Sequence, residues 1–205
     1  MGAFKPLLPF GGRTVVEAAL ENLRGAGAEK IVVVVGHRAA EMSARLKDFS
    51  ERRDALQFEL VENDLPESQM SDSIKLGVAR AAPSSRAVII ALADQPSVSS
   101  DVLKRLLRVW RETGAPIVAP EYAGRGGHPV LVDLSLRDQL LALDPKRGLR
   151  RLFDERHEEV ERVKFEDDFV VRDMDTWDEY IKLHVDTFGY APNVEKPSTK
   201  KISPE

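Results

Sequence analysis

With 205 residues, of which 42% are hydrophobic and 31% charged, the chain has the composition of an ordinary globular protein with one large domain. The formal net charge of −4 argues against binding of nucleic acid, and an anionic substrate would have to be met by local cations. The absence of cysteine excludes disulfides, thiolate metal sites and cysteine nucleophiles. No apolar run approaches the ~18 residues that span a bilayer, and no signal peptide is apparent. We therefore expect a cytoplasmic protein without a membrane partner.

Strands and helices are predicted to alternate along most of the chain. Periodicity and capping residues predict helices at 14–26, 39–53, 67–82, 99–113, 134–143 and 176–185, and strands at 30–35, 56–61, 87–92, 116–120, 129–132, 159–164 and 169–171. This order favours an α/β fold in three layers, with a doubly wound, mostly parallel, Rossmann-like sheet between helices. We expect one domain over residues 1–187, and a flexible tail or linker over 188–205, where no periodicity is present.

The strand predicted at 87–92 is the most informative segment, because it consists of six apolar residues without polar alternation. Such a strand is typically buried on both faces of a parallel sheet. Asp94 follows it, and ligands of open α/β sheets bind beyond the carboxyl ends of the strands. Asp94 is therefore a candidate for holding a metal ion or a substrate. On spacing alone, a turn or a helix cap remains an equally good interpretation of this residue.

Other candidate residues have plain structural alternatives. Lys5 precedes a proline near the start of the chain and has the pattern of a surface lysine. Ser71 lies at a predicted helix start, where serine caps a helix or donates to phosphate. Arg125 and His128 lie in a glycine-rich loop that would let a backbone approach an anionic ligand closely, although a hairpin loop fits as well.

A pair of aspartates, Asp173 and Asp175, precedes the last predicted helix. If the segment is extended, their spacing of two places both carboxylates on one face. Thr176 and Glu179 have the spacing of a capping box, as do Thr14 and Glu17 at the first helix. One of the two aspartates could therefore serve the helix start alone.

Five segments, taken together and in order, resemble the molybdenum cofactor nucleotidyltransferases, most closely their cytidylyltransferase branch within the sugar-nucleotide-type NTP transferases. Each segment is weak alone, but the five extend over nearly all of the chain up to about residue 183. They are Lys-Pro-Leu-Leu-Pro-Phe-Gly-Gly at 5–12, Met-Ser-Asp-Ser-Ile at 70–74, Ala-Asp-Gln-Pro at 93–96, Gly-Gly-His-Pro at 126–129 and Asp-Met-Asp-Thr at 173–176.

The resemblance implies magnesium-dependent transfer of CMP from CTP to molybdenum cofactor, with release of pyrophosphate. Asp94 and Asp175, with Asp173 as a substitute, would hold the Mg²⁺, and Lys5 would neutralise phosphate oxygens as a catalytic residue with Asp94. The resemblance places four further residues near the ligands, with Asn63 and Ser71 beside the nucleotide and Arg125 and His128 beside the acceptor phosphate. A molybdoenzyme would be a natural protein partner.

The chain departs from the family's pattern at its start. The family begins with a strand and a glycine-rich loop that cradles the phosphates, and only Met1 and Gly2 stand in that position here. We favour a sequence that starts late, at an internal methionine, because the remaining motifs are intact. Taken literally, the chain would lack a central strand and the phosphate cradle, and we would expect weak stability and little or no activity.

Three alternatives remain. The same chemistry could use GTP, or another phosphorylated acceptor such as a sugar or polyol phosphate, because base choice depends largely on the missing loop. A catalytically inactive cofactor-binding module would keep the fold without the reaction. A dinucleotide-binding or flavodoxin-like protein is disfavoured, because no Gly-x-Gly-x-x-Gly motif follows a strand.

Overall fold

The computed structural model describes residues 3–52, 57–65 and 67–194. Met1, Gly2 and residues 195–205 of the predicted tail lie outside this part of the chain. The described strands are β1 (Pro9–Phe10), β2 (Arg13–Thr14), β3 (Val32–Val35), β4 (Glu59–Glu62), β5 (Ala87–Ile90), β6 (Ile117–Tyr122), β7 (Arg125–Gly126), β8 (Val130–Asp133) and β9 (Val160–Lys164). The α-helices are α1 (Val15–Gly25), α2 (Ala39–Arg52), α3 (Met70–Ala79), α4 (Ser100–Thr113), α5 (Arg137–Leu141), α6 (Leu149–Glu155) and α7 (Trp177–Phe188).

The long strands run mostly in parallel, as the sequence predicts. β3 pairs with β4 in parallel, and β6 pairs with β9 in parallel. β8 lies between β5 and β6 and is antiparallel to both, so β5, β6 and β9 share one direction. The short strands β1 and β2 form a separate hairpin.

Helices cover both faces of the larger sheet, which gives the expected three layers. Alternate residues of β8 point to opposite sides: Val130 and Val132 pack with α3, α5 and α6, whereas Leu131 packs with α4. Helix α3 also lies against the smaller sheet, where a Cβ added at Gly77 would be 3.6 Å from Val34. The α/β fold class is therefore confirmed. No helix in the described residues is long and apolar enough to cross a membrane.

Two local predictions are corrected. Residues 169–171, predicted as a strand, lie in and just after a 3-10 helix (Asp168–Val170), where Arg172 binds both carboxylate oxygens of Asp168. Strand β5 was predicted to be buried on both faces of a parallel sheet, but all four of its residues are only half-buried and it pairs antiparallel with β8.

The end of the predicted domain packs closely onto the rest of the chain. Helix α7 includes Phe188, whose ring lies 4.8 Å from that of Phe10 in an edge-on arrangement. Val194 is the last described residue and packs against the same hydrophobic cluster. The division between a domain at 1–187 and a tail remains a prediction.

Candidate active site

The segment that carries Lys5 is held in place by helix α7. Lys5 begins a 3-10 helix (Lys5–Leu7), which leads directly into the β1–β2 hairpin. The buried hydroxyl of Tyr180 donates a hydrogen bond of 2.6 Å to the carbonyl oxygen of Pro9. Burial raises the pKa of Tyr180 to about 12, so this hydroxyl remains a donor at neutral pH.

His184, one turn further along α7, makes a second connection. The backbone N–H of Gly11 donates to Nε2 of His184 at 3.1 Å, which leaves Nδ1 to donate to the carbonyl oxygen of Tyr190 at 2.8 Å. The imidazole is only 1% exposed. Helix α7 therefore fixes the hairpin through two polar side chains as well as through packing.

Asp94 lies in the turn after β5, as predicted. Gln95 beside it is buried, and the carbonyl oxygen of Pro96 accepts a hydrogen bond of 3.2 Å from Nδ2 of Asn22 on α1. Asp94 itself remains 37% exposed. Helix α1 thus anchors the turn while the carboxylate stays accessible.

Asp175 is positioned by the start of α7. The carboxylate of Glu179 accepts hydrogen bonds from the backbone N–H of Asp175 at 3.0 Å and of Thr176 at 2.7 Å. Thr176 accepts in return from the N–H of Glu179 at 3.2 Å, which completes the predicted capping box. The cap therefore fixes the backbone of Asp175, while its side chain is 70% exposed.

These three segments bring Lys5, Asp94 and Asp175 together. The ammonium Nζ of Lys5 lies 2.5 Å from Oδ1 of Asp175 and 3.7 Å from Oδ2 of Asp94. Burial opposes the charge of Lys5, but the hydrogen bond to Asp175 and the two carboxylate charges outweigh it and raise its pKa. The same hydrogen bond lowers the pKa of Asp175. The cluster therefore places one ammonium group between two carboxylates.

His128 lies beside this cluster. Burial lowers its pKa, and the backbone of Ile90 and the charges of Asp94 and Asp173 oppose that shift. Its Nδ1 is buried and has no hydrogen-bond partner among the described residues. Asp173 therefore lies within electrostatic range of His128, whereas Asp175 is the aspartate that reaches Lys5.

The loop before His128 requires glycine at one position. A Cβ on Gly127 would lie 2.0 Å from the carbonyl oxygen of Val170, which is closer than two atoms can approach. That same carbonyl accepts a hydrogen bond of 2.9 Å from the backbone N–H of His128. Gly127 thus allows the loop to pass over the 3-10 helix and sets the position of His128.

The contacts that the structure gives for the other predicted ligand residues are with residues other than Asp94 and Asp175. Asn63 is buried at the end of β4 and donates through Nδ2 to Oγ of Ser73 at 3.2 Å. Ser71 is buried and donates to the carbonyl oxygen of Pro145 at 3.5 Å. Arg125 is exposed on β7 and makes no ion pair within the described residues. The binding roles of these residues remain predictions.

Sequence reasoning missed the residues that position the site. Tyr180 and His184 are four residues apart and share the helix face that also carries Trp177, a spacing that was available in the sequence. The contact between Asn22 and Pro96 joins residues 74 positions apart and has no local signal.

The carboxylate pair fits a hard divalent cation. The described residues contain no group of three or more His, Cys, Asp or Glu side chains that could hold a metal ion. Mg²⁺ usually takes only one or two protein carboxylates and completes its shell with waters and substrate phosphates. Asp94 and Asp175 already converge on a positive charge, that of Lys5, so their geometry suits such an ion.

Comparisons with known proteins identify the family of the chain. The model of the MobA-like NTP transferase domain matches residues 1–160. Nicotine blue oxidoreductase of Paenarthrobacter nicotinovorans is 28% identical over 186 residues, which cover 87% of each chain.

Solved structures of similar fold include a nucleotidyl transferase. The crystal structure of Rv0371c from Mycobacterium tuberculosis has a TM-score of 0.75 and 26% identity, with 90% of each chain covered. The same protein has been solved in complex with manganese, with a TM-score of 0.72. A nucleotidyl transferase from Methanothermobacter thermautotroptrophicus has a TM-score of 0.72 and 25% identity, over 88% of this chain and 83% of that one. On the extent of the family match, this chain belongs to the MobA-like NTP transferase domain family and is a nucleotidyltransferase.

Proposed function

We propose that the protein transfers CMP from CTP to molybdenum cofactor and releases pyrophosphate, in a reaction that depends on Mg²⁺. The observation that carries the proposal is the convergence of Lys5, Asp94 and Asp175 at the ends of three separate segments, within a MobA-like NTP transferase domain. The manganese complex of Rv0371c supports a divalent metal in a protein of similar fold.

In the proposed reaction, an oxygen of the acceptor phosphate attacks the α-phosphorus of CTP in line. A new P–O bond forms while the bond between the α-phosphorus and the bridging oxygen breaks, so pyrophosphate leaves with that oxygen. The reaction needs little covalent participation by the protein. Catalysis depends on positioning the reactants and on neutralising the charge of the phosphates. Lys5 would supply a positive charge to the triphosphate oxygens.

The metal would be held by Asp94 and Asp175, with Asp173 as a substitute. Bound there, Mg²⁺ would neutralise charge on the triphosphate and on the departing pyrophosphate. His128, beside Asp94, and Arg125, on the neighbouring exposed strand β7, would bind the acceptor phosphate. Asn63 and Ser71 would contact the nucleotide, for which Ser71 would have to exchange its bond to Pro145.

The choice of CTP and of molybdenum cofactor rests on the sequence resemblance. GTP, or a different phosphorylated acceptor, remains the alternative within the same chemistry, and a catalytically inactive cofactor-binding module is the alternative outside it. A molybdoenzyme partner and a cytoplasmic location remain predictions.

The test is pyrophosphate release with Mg²⁺ and each of CTP, GTP, UTP and ATP, with molybdenum cofactor as the acceptor. It is run on this chain and on one extended upstream in the same reading frame. Turnover that prefers CTP and requires the acceptor would support the proposal. Preference for another base would replace CTP by that nucleotide in the proposed reaction. A lack of both turnover and NTP binding in either chain would favour the binding module.

An oxidoreductase is a second candidate, favoured by the name of the relative from Paenarthrobacter nicotinovorans. The two activities separate readily, because reduction consumes a reduced cofactor and releases no pyrophosphate. Oxidation of NADH or NADPH in the presence of nicotine blue, without any requirement for an NTP, would favour this second candidate.

A further inference from the structure

We propose that Lys5 occupies the metal position in the nucleotide-free protein, so that the divalent cation and the NTP bind together and each strengthens the binding of the other. This inference rests on the proposed function, because it concerns the same carboxylates. Neither the family match nor the metal assignment implies that Lys5 must leave the carboxylates before the metal can bind.

The ammonium and a metal ion would compete for the same oxygens. Nζ of Lys5 lies 2.5 Å from Oδ1 of Asp175 and 3.7 Å from Oδ2 of Asp94. Mg²⁺ bound by these carboxylates would need oxygen ligands at about 2.0–2.1 Å. A divalent cation and an ammonium cannot both occupy that space, since their charges also repel. Metal binding to the free protein must therefore displace Lys5 first.

Lys5 has little freedom to leave without a new partner. Its side chain is only 26% exposed, and it begins a 3-10 helix whose backbone bonds run from Leu7 to Phe4 and from Leu8 to Lys5 at 3.1 Å. The hairpin that follows is held to α7 by Tyr180 and His184. No further carboxylate is paired with Lys5 among the described residues. The lysine therefore stays between the two aspartates until another anion is available.

A nucleotide triphosphate supplies that anion. Its oxygens offer Lys5 a new partner, which frees both carboxylates, and they also supply the remaining ligands that the metal lacks. Because coupling between two binding sites is reciprocal, the metal should raise the affinity for NTP by the same factor as NTP raises the affinity for the metal.

The test measures binding of Mn²⁺ to the protein alone, by electron paramagnetic resonance of the free ion. The variants are Lys5→Met, which keeps the length of the side chain, and Lys5→Gln, which guards against a folding defect in the first. Lys104→Met is the matched control, because Lys104 is an exposed lysine whose carboxylate partner is Asp101, at 3.5 Å on helix α4, and not one of the two site aspartates. Thermal melts establish that each variant is folded.

We expect both Lys5 variants to bind Mn²⁺ about tenfold more tightly than the parent protein, and the control to bind like the parent. A non-hydrolysable CTP analogue should tighten Mn²⁺ binding to the parent by about tenfold or more, and to the Lys5 variants much less. Affinities for Mn²⁺ alone that are equal to or weaker than that of the parent would overturn the inference.

Two further variants separate this inference from the proposed function. If Asp94→Asn and Asp175→Asn weaken Mn²⁺ binding while the Lys5 variants leave it unchanged, the metal site stands and only the role of Lys5 is wrong. If neither aspartate variant alters Mn²⁺ binding in any background, the metal assignment of the proposed function fails as well.

Discussion

The hydroxyl of Tyr180 donates a hydrogen bond to the carbonyl oxygen of Pro9 across 171 positions of sequence, at 2.6 Å. This bond connects helix α7 to the hairpin that follows Lys5. The same helix starts at the cap that positions Asp175. One element therefore supports two of the three residues in the candidate active site.

Replacing Tyr180 with Phe should cost about 1–2 kcal/mol in the free energy of unfolding, because the carbonyl oxygen of Pro9 loses its partner while the ring remains. Urea denaturation measures the change. The matched control is Tyr190→Phe, since the side chain of Tyr190 is largely exposed, and it should shift the free energy little. Equal stabilities for the two variants would show that the Tyr180–Pro9 bond contributes nothing.

Replacing Gly127 with Ala should destabilise the protein by about 3 kcal/mol or more, or prevent folding, because the new Cβ would overlap the carbonyl of Val170. Gly12→Ala is the control, since no atom lies within 4 Å of a Cβ at Gly12. The control should remain within about 0.5 kcal/mol of the parent. Thermal melts of the two variants that coincide would refute the predicted clash.

The charge of Glu179 should stabilise the fold in a pH-dependent manner. Hydrogen bonds from the backbone and the hydroxyl of Thr176 lower its pKa below the ordinary value of 4.5. A lowered pKa means that the stabilisation is fully present above the unfolded-state pKa and is lost as pH falls through the folded-state pKa.

The free energy of unfolding of Glu179→Gln should therefore be below that of the parent near neutral pH, and the difference should shrink as the pH falls below the ordinary carboxyl pKa of 4.5. Denaturation at several pH values measures it. Glu158→Gln is the control, because Glu158 is almost fully exposed and serves no helix cap. A difference that stays constant from neutral to acid pH would contradict the assigned role of the carboxylate.

Replacing His128 with Asn should raise the KM for the phosphorylated acceptor by about tenfold and leave the KM for the NTP nearly unchanged, as expected for the loss of one hydrogen bond to a charged group. Steady-state kinetics with each substrate varied in turn separates the two constants. His157→Asn, at a histidine that is 75% exposed, serves as the control. An equal rise in both KM values would place His128 elsewhere in the reaction.

Local sequence signals predicted much of the fold but could not choose between neighbouring candidates. The capping boxes at Thr14 and Thr176 were readable because their partners lie three residues away. The spacing of Asp173 and Asp175 gave no reason to prefer either one. The structure distinguishes them, because Lys5 forms its hydrogen bond with Asp175.

Long-range backbone contacts were the least predictable feature. Residues 169–171 have the apolar composition of a strand, but the carbonyl of Val170 bonds to His128 and the segment turns into a 3-10 helix. Asn63 and Ser71 have the chemistry of nucleotide ligands, whereas their contacts in the structure hold the start of α3 to neighbouring segments. A side chain that binds a helix start and one that binds phosphate have the same sequence signal.

The role of the two carboxylates is measured by following the α-phosphate of CTP with Asp94→Asn, Asp175→Asn and the exposed control Asp101→Asn, in whichever form of the chain turns over. With CTP labelled at the α-phosphorus, we predict that label passes to the acceptor and that each of the first two variants slows transfer on the order of a hundredfold or more. The control should transfer at the parent rate. Transfer that is unchanged in both Asp94→Asn and Asp175→Asn would contradict the assignment of the active site to these carboxylates.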